Sequence, residues 1–410
     1  MKISLVVQLI TALFSLSVVA DEFDYLTLSL EELLKVRVSS ATKQSEKVID
    51  IPANVISISR DEIQQFGYTT LDELFRNLSG FYLTDTTEEQ RIGIRGTIGG
   101  GFQFLINGVP QHPSIVKGLS IPERARFNIP IESIDKIELV KGPMSVMYGN
   151  NAFKGSINVI TNESKTQNSK VSASYGNQET RRIFARYVRT FSDAFVTLNL
   201  ASYENQGYGS AFSDMMSAEQ LSEVNPAMNT SLEGNVDHDN YSADLSLNYQ
   251  GWQADVRYSD MNYGFYVFTP PFDKGTHIKL ETLNSMISYA DKFSDKLNWK
   301  GSIIYSTEEY KIPKFDLFFE TLHRSGAFQT QKNSRIEAEL NLIYQASDEL
   351  NILTGYRYRT VNDAMNRIDL SLLGLNYDHD NEDILQNDLF FQASYQFNDQ
   401  LKFVLGNRWT

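Results

Sequence analysis

The sequence of 410 residues contains no cysteine, which excludes disulfide bonds and metal sites built on thiolates. Histidine is scarce as well, with five residues scattered along the chain. No HExxH motif, no other regular spacing of metal ligands and no Ser-His-Asp arrangement can be recognised. We therefore expect no catalytic residues, no metal site and no bound cofactor, and the chain is not predicted to be an enzyme.

Positive charge is in short supply. The chain has 37 lysine and arginine residues against 51 aspartate and glutamate residues, which gives a formal net charge of −14. Binding to nucleic acid depends on basic side chains that neutralise phosphates. The charge balance therefore argues against a nucleic acid partner.

Long apolar segments are missing beyond the first 20 residues. No later run approaches the ~18 apolar residues that a membrane-spanning helix requires. The chain is nevertheless rich in aromatic residues, with 21 tyrosines and 25 phenylalanines. Outer-membrane β-barrels have such a composition, because aromatic side chains form girdles at both membrane interfaces.

Residues 1–20 have the composition of a secretory signal peptide. Lys2 is followed by an apolar stretch, and the small residues Val18 and Ala20 occupy positions that signal peptidase prefers. We expect export and cleavage near Ala20, before Asp21. The alternative is an uncleaved N-terminal membrane anchor.

The segment from Ile134 to Thr161 carries the most informative pattern, IDKIELVKGPMSVMYGNNAFKGSINVIT. Apolar and polar residues alternate at both of its ends, as they do in half-buried strands. Gly142-Pro143 and Gly149 mark turns between these ends. The pattern predicts a strand, a glycine turn, a short helix, a second glycine turn and a strand.

This segment closely resembles the last part of the plug domain of TonB-dependent outer-membrane receptors. Three stretches upstream resemble the same family and follow the family's order: LDELF with SGF (71–81), IRG (94–96) and FLINGVP (104–110). One such motif is a weak signal, whereas four in register are specific. The alternative is an unrelated α/β domain that shares the turn signals.

Helix-capping signals support a mixed α/β plug domain over residues 48–162. Ser59 with Glu62, and Thr70 with Glu73, have the spacing of helix starts, and glycines follow each predicted helix. Residues 21–47 would form a short periplasmic lead-in before the plug.

Residues 163–410 alternate with a period of two, which predicts strands of an antiparallel transmembrane β-barrel. The clearest segments are 241–249, 252–259, 335–344 and 389–397. We expect their apolar and aromatic positions to face lipid and their polar positions to face the barrel interior. A soluble β-sandwich also alternates, but it would not normally leave so many charged residues on one face.

Short and long connections alternate along this region. Tight turns are predicted at 192–193, 250–251, 294–295, 347–348 and 398–399, and long loops at 205–239, 263–279, 310–333 and 361–386. The pattern predicts about 11 strands, whereas a plugged transporter of this type needs about 22. We therefore expect an incomplete barrel and a fragment of a longer receptor. A complete smaller barrel is the alternative.

The resemblance also implies a segment that binds the energy-transducing protein TonB by strand addition, called the TonB box. The candidate here consists of Val36, Arg37, Val38, Ser39, Ser40 and Ala41. The basic residues Lys35 and Arg37 depart from the family's pattern. The segment alternates like a strand and has no evident local partner, and a plain linker strand is the alternative.

Two charged plug residues stand where the family has arginines that latch the plug to the barrel wall. They are Arg95 and Lys141, and a lysine keeps the charge but loses the bidentate geometry of an arginine. Either could instead be a solvated surface charge. A third departure is Asn107, which replaces the family's usual aspartate and removes one charge.

The apical loops of the plug would make the first contacts with a ligand. The candidates there are Glu88, Glu89, Gln90, Ile98, Phe102 and Gln103. Aromatic residues of the barrel loops, such as Tyr263, could stack on a siderophore or a sugar, or could pack within the loops. His238, between Asp237 and Asp239, could in principle hold a cation, although acidic loop tips are usually just solvated.

With the resemblance, these observations predict an exported receptor of the outer membrane that imports a scarce nutrient. The family's commonest cargo is a ferric siderophore, and cobalamin, an oligosaccharide and haem remain open. The expected partners are TonB with its inner-membrane energising complex, membrane lipid and the small nutrient. The alternatives are a passive outer-membrane channel or adhesin, and a non-functional receptor fragment.

Overall fold

The computed structural model describes most of the chain beyond residue 54. The described residues are 37–38, 46–47, 54–85, 90–94, 96–98, 101–111, 129–142, 144–149, 152–162, 168–207, 214, 217–223, 236–265, 276–319, 322–370, 375–398 and 401–410. The predicted signal peptide lies outside these ranges. Within them, no helix has the length and apolar character needed to cross a membrane.

The elements up to residue 162 are short strands and helices. In chain order they are β1 Arg37–Val38, β2 Glu46–Lys47, β3 Asn54–Ser59, α1 Arg60–Gln65, α2 Leu71–Asn77, β4 Phe81–Asp85, β5 Gln90–Ile94, β6 Thr97–Ile98, β7 Phe102–Ile106, β8 Val109–Gln111, β9 Lys136–Lys141, α3 Ser145–Tyr148 and β10 Gly155–Ile160. One turn of 3-10 helix, Ile131–Ser133, precedes β9.

A five-stranded sheet is the centre of the plug, the name used here for residues 54–162. Its strand order is β3-β9-β10-β7-β8, with β10 antiparallel to β9 and parallel to β7. Strands β4, β5 and β6 form a separate three-stranded sheet. The segment Ile134–Thr161 supplies β9, α3 and β10, which confirms the predicted order of strand, turn, helix, turn and strand.

Apolar side chains from the central sheet and from α1 and α2 form one core. Burial of such surface stabilises a fold by about 25 cal/mol per Å². The core members with 0% exposure are Leu74, Phe75, Ile134, Ile137, Leu139, Ile157 and Val159.

The two helices begin where the capping signals place them. Ser59 and Glu62 form a reciprocal capping box at α1, with the Ser59 amide donating to the Glu62 carboxylate over 2.7 Å. Thr70 accepts from the Glu73 amide at α2, but the Glu73 carboxylate bonds the Thr69 amide instead, at 2.7 Å. The second box is therefore displaced by one residue.

An antiparallel sheet follows the plug and is called the wall here. Its eleven strands within the described ranges are β11 Lys170–Tyr175, β12 Arg181–Phe191, β13 Ala194–Asn205, β14 His238–Tyr249, β15 Trp252–Phe265, β16 Thr276–Ser294, β17 Leu297–Phe319, β18 Leu322–Gln345, β19 Leu350–Leu370, β20 Leu375–Asn398 and β21 Leu401–Trp409. A short helix, α4 Ala218–Glu223, lies between β13 and β14.

The wall strands pair in sequence order, and β11 and β21 occupy the two ends of the described sheet. The sheet is therefore not closed within the described ranges, which confirms the prediction of about 11 strands and an incomplete barrel. The two faces also follow the prediction. On β14, Leu245 and Leu247 are exposed by 46% and 41%, whereas Asp244 and Ser246 are buried.

Two predicted long loops are wrong, and a third is too long. Residues 310–333 continue β17 and β18 up to a connection at 320–321, and residues 361–386 continue β19 and β20 up to 371–374. Strand β15 also runs to Phe265, and β16 begins at Thr276. A hairpin that continues past the membrane has water on both faces and loses its apolar alternation, so its sequence has the polarity of a loop.

Two smaller predictions also need correction. The turn expected at 294–295 lies one residue later, because β16 ends at Ser294 and β17 begins at Leu297. The strand predicted near residues 36–41 does have a local partner. Arg37 pairs with Lys47 and Val38 pairs with Glu46 in an antiparallel ladder between β1 and β2.

Candidate functional site

Two arginines of β12 bind the plug. Arg182 and Arg186 lie on the same face of the strand, because alternate residues of a strand point to one side. Arg186 donates to the backbone oxygen of Ser133 over 3.0 Å and to the Asp135 carboxylate over 3.1 Å. Arg182 donates to the backbone oxygen of Thr69 over 2.8 Å and to Glu132 over 3.3 Å. Strand β12 therefore binds the plug at two positions along its length.

Asp135 joins this wall contact to the start of α1. Its second carboxylate oxygen accepts from Arg60 over 2.9 Å, and Arg60 also donates to the backbone oxygen of Glu132. The side chains of Arg186 and Asp135 are exposed by only 0% and 4%. Burial lowers the pKa of Arg60, and the charge of Asp135 opposes that shift. A carboxylate at this depth needs hydrogen bonds, and each of the two arginines supplies one here.

A second contact involves the last strands of the wall and the helix α3. Arg408 donates to the backbone oxygens of Val146 and Met147 over 2.9 and 3.3 Å. Arg357 donates to the backbone oxygen of Tyr148 over 3.3 Å. The last carbonyls of a helix lack partners within the helix, so two guanidinium groups satisfy them here. Both arginines also pair with the buried Asp388.

Tyr148 lies at the same contact. Burial is the main cause that raises the pKa of its hydroxyl, and the charge of Glu138 acts in the same direction. The phenol therefore stays neutral over the physiological range.

A third contact pairs plug amides with a wall carboxylate. Asn107 and Asn162 donate to one oxygen of Asp255 over 3.3 and 2.9 Å, and Ser246 and Gln253 bond the same side chain. Asn107 is the residue that replaces the family's usual aspartate. An amide can donate to Asp255, whereas a second carboxylate would repel it. Asparagine at position 107 therefore suits the wall carboxylate that it faces.

The predicted latch residues do not supply the contacts just described. Arg95 lies outside the described residues. Lys141 donates to the backbone oxygen of Ser79 over 2.7 Å and lies 5.2 Å from the centre of the Phe81 ring, and both groups belong to the plug. Its role as a latch stays a prediction.

Sequence reasoning searched the plug for latches and missed the wall arginines. The sequence does carry a signal for these arginines, because each one occupies an inward-facing position in the alternating pattern of its strand.

The predicted ligand contacts are only partly described. Glu88 and Glu89 lie outside the described residues. Gln90 and Ile98 belong to β5 and β6, without a description of their side chains. Phe102 and Gln103 are exposed by 6% and 3%, and the Gln103 amide donates to the backbone oxygen of Phe104. Strand β7 begins directly after Gly101, which buries these two residues and argues against their contact with a ligand.

Most of the TonB box candidate also falls outside the description. Arg37 and Val38 form β1, whereas Val36, Ser39, Ser40 and Ala41 lie outside the described residues. The assignment stays a prediction.

A cavity of about 250 Å³ lies between the plug and the wall. It lies at the end of β12 to β15 that is opposite the tight turns, and we call this end of the wall the loop end. The plug contributes residues 69–72 and 129–132, and the wall contributes Arg182, Tyr203, His238, Asn240 and Met261. Arg182 and the two plug residues that it binds, Thr69 and Glu132, therefore line this cavity.

The aromatic groups near this cavity are engaged with each other. The His238 ring stacks on Tyr263 with centres 5.9 Å apart, and Tyr263 is exposed by only 7%. The Tyr263 ring, which was suggested to stack on a ligand, therefore already stacks on a protein ring. Among the described residues, no group of three or more potential metal ligands occurs, around His238 or elsewhere.

Comparison with known proteins shows which proteins this chain resembles. The model of the TonB-dependent Receptor Plug Domain matches residues 47–156. The vitamin B12 transporter BtuB of Vibrio cholerae is 29% identical over 177 residues, which cover 42% of this chain and 28% of that protein. The iron-regulated outer membrane virulence protein of V. cholerae is 27% identical over 140 residues, which cover 32% and 20%. The predicted plug boundaries at 48 and 162 stay predictions.

Among solved structures, the pyoverdine outer membrane receptor FpvA of Pseudomonas aeruginosa has a similar fold. The superposition has a TM-score of 0.67 at 13% identity and covers 93% of this chain and 60% of that chain. At this identity the likeness shows the fold alone. The chain thus spans less than two thirds of the length of these proteins, which are receptors and transporters rather than enzymes.

Proposed function

Because the chain belongs to the TonB-dependent outer-membrane receptors, we propose that it serves the TonB-dependent import of a scarce nutrient. A ferric siderophore is the first cargo to test, and vitamin B12 is the second. The proposal includes export, cleavage near Ala20 and residence in the outer membrane.

One observation carries the proposal: the plug is fixed to the inner face of the wall by charged groups at separate places. Arg186 holds Asp135 on one side, and Arg408 holds the end of α3 on the other. A domain bonded in this way obstructs the interior of a barrel. Passage then requires work on the plug, which an energy-transducing partner would supply.

The lead-in is placed so that it can transmit such work. In the proposal, TonB pairs with residues 36–41 by strand addition. Strand β3 follows the lead-in and lies at the edge of the plug sheet, where β9 is its one partner among the described strands. Arg60, the next residue, binds Asp135, which in turn binds the wall. A pull on the lead-in would therefore reach the β12 contact within a few residues.

The test is growth of the source bacterium under iron limitation with a ferric siderophore as the only iron source. Val38→Pro removes a backbone N–H donor that strand addition needs, whereas Val38→Ile keeps it. We expect uptake to be lost with proline and retained with isoleucine. A parallel arm measures growth that depends on vitamin B12.

The same assay separates the alternatives. A passive channel or adhesin would be insensitive to Val38→Pro, and a non-functional fragment would support no uptake in the unmodified strain. Either result, with the protein present in the outer membrane, would overturn the proposal.

A further inference from the structure

Strands β7 and β8 are joined by the two-residue turn Asn107-Gly108. Ile106 pairs with Val109 across this turn, and the turn residues have φ values of +52° and +81°. A two-residue hairpin of this type requires left-handed backbone at both central positions, which asparagine followed by glycine adopts readily. The sequence contains no other Asn-Gly pair. The geometry of the hairpin thus accounts for the pair at this place.

An asparagine followed by glycine is also chemically labile. The Gly108 amide nitrogen can attack Cγ of the Asn107 side chain, because glycine has no side chain that hinders the approach. A bond forms between these two atoms, the Cγ–Nδ2 bond breaks, and Nδ2 leaves as ammonia with the proton of the Gly108 nitrogen. Water then opens the resulting succinimide ring at either of its carbonyls, which gives aspartate or isoaspartate.

The folded turn holds both reacting groups in place. Oδ1 of Asn107 accepts from the Thr161 amide over 2.8 Å, and Nδ2 donates to Oγ1 of Thr161 over 3.0 Å. The same Nδ2 donates to Asp255 of the wall over 3.3 Å. The Gly108 amide donates to Oδ1 of Asn158 over 3.1 Å. Attack requires the Asn107 side chain to swing towards the Gly108 nitrogen, so these bonds must open first.

The second reactant, water, has room beside the turn. Gly108 is exposed, and a cavity of about 110 Å³ is lined by Asn107 and Gly108 together with polar wall residues such as Lys300 and Glu339. A polar cavity of this size is large enough for water. The fold therefore limits the first step of the reaction and not the hydrolysis, so that opening of the turn sets the rate.

The product would act against the contact between plug and wall. A carboxylate at position 107 has no Nδ2 to donate to Asp255, and the two like charges repel each other. Isoaspartate also adds one methylene to the main chain between β7 and β8. Val109, the first residue of β8, packs with Met286 and Ile304 of the wall. Both products would thus loosen this part of the plug from the wall.

We propose that Asn107-Gly108 is a deamidation site that the folded turn protects, and that its conversion to aspartate or isoaspartate irreversibly weakens the contact at Asp255. The inference does not depend on the cargo or on TonB, and it therefore goes beyond the proposed function. The modified fraction of the protein would record how often this turn has opened.

The test follows the unmodified full chain in detergent micelles, with and without urea. Mass spectrometry of the peptide that contains Asn107 gives the rate of deamidation, and a synthetic peptide of residues 104–111 in the same buffers corrects for effects of urea on the chemistry. We expect the folded chain to react about a hundredfold more slowly than the unfolded chain, because several hydrogen bonds must open together. Aspartate and isoaspartate should both form.

Two variants examine the hydrogen bonds of the turn. Thr161→Val removes the hydroxyl that accepts from Nδ2 of Asn107 and keeps the amide that donates to Oδ1. It should speed the reaction of the folded chain about fivefold, which is the effect of one lost hydrogen bond, and leave the rate in urea unchanged. The matched control is Thr197→Val on β13. It removes a buried hydroxyl that has no hydrogen-bond partner, and it should change neither rate.

The consequence of the reaction is measured on aged protein. Chains that contain isoaspartate or aspartate at position 107 are compared with unreacted chains by amide exchange at Val109 and Gln111. We expect faster exchange in the modified chains, because β8 has lost part of its hold on β7 and on the wall.

Four outcomes would overturn the inference. Equal rates with and without urea would mean that the fold gives no protection, and equal rates in folded Thr161→Val and Thr197→Val would mean that the bonds of Asn107 do not provide it. Aspartate as the sole product would exclude attack by Gly108. Unchanged exchange in modified chains would show that the contact is not weakened. If Thr161→Val fails to fold, the comparison of the unmodified chain in the two buffers remains decisive.

Discussion

The interior of the plug is apolar, whereas its contact with the wall is mostly polar and charged. Inside the plug, Leu74, Phe75 and Ile137 are fully buried among other apolar side chains. At the contact, arginines, carboxylates, amides and backbone carbonyls meet, such as Arg186 with Asp135. Two small apolar clusters join the plug to the wall as well, one around Met147 and one around Val109. The same domain is thus stabilised by apolar burial within, and by hydrogen bonds with a smaller apolar contribution at its edge.

This difference teaches which of the two is easier to break. Apolar burial is lost only when the domain opens and exposes its core to water. Charged hydrogen bonds at an interface can be exchanged for bonds to water when the surfaces separate, so their net contribution is modest. We infer that the plug can leave the wall, in whole or in part, at a lower cost than that of its complete unfolding.

The largest effect is expected in the plug interior. Phe75→Ala should destabilise the plug by about 3–5 kcal/mol, because it leaves a cavity in a closed core. The measurement is urea titration of the chain in detergent micelles, followed by amide exchange in β9 and β10. Phe66→Ala is the control, since Phe66 is exposed by 68%. Equal losses in the two variants would contradict the apolar account of the interior.

The contact at β12 should show a smaller effect. Arg186→Ala removes one of the two arginines that bind Asp135 and should cost about 1–3 kcal/mol. The readout is exchange protection of residues 129–135, and Arg186→Lys should recover only part of it, because lysine lacks the fork.

Arg181 is the matched control for this variant. It is the neighbouring residue on β12, and its side chain is exposed by 59%. If Arg181→Ala loosened the plug as much as Arg186→Ala does, the contact would not depend on the buried pair.

The amide contact at Asp255 should follow. Asn107→Asp places a second carboxylate against Asp255 and should cost about 1–2 kcal/mol of plug stability. The additional change Asp255→Asn should restore most of the loss, because an amide then faces the new carboxylate. The double variant, measured in the same urea titration, decides the matter: no recovery would mean that the two residues do not act as a pair.

The smallest effect is expected at the start of α1. Ser59→Ala removes the capping hydroxyl and should cost about 1 kcal/mol, while Ser59→Thr should be nearly neutral. The measurement is amide exchange in α1 and β3. A loss as large as that in Phe75→Ala would show that the end of β3 contributes more to the plug than its local bonds indicate.

The sequence predicts the elements well where local rules determine them. Glycine turns and alternation predicted β9, α3 and β10, and the Ser59–Glu62 spacing predicted the start of α1. Alternation also predicted which face of β14 is buried. In each case the signal lies within a few neighbouring residues.

The sequence does not predict partners that lie far apart in the chain. Arg408 binds backbone oxygens of α3, and a backbone oxygen has no signature in the sequence. Phe102 and Gln103 follow a run of glycines, which is typical of a loop, but the sheet already begins at Phe102. The long hairpins were missed because their outer parts lack the alternation that lipid imposes on one face.

The unequal length of the wall strands has a consequence for access from outside. Strand β12 has 11 residues and β18 has 24, and at ~3.3 Å per residue the difference amounts to roughly 40 Å along the strand. The rim formed by the strands is therefore low beside β12 and high beside β18. A bulky molecule that approached the loop end would meet the described strands as a barrier on one flank and as a step on the other. As far as the described strands are concerned, the side of β12 is the more open approach to the interior of the wall.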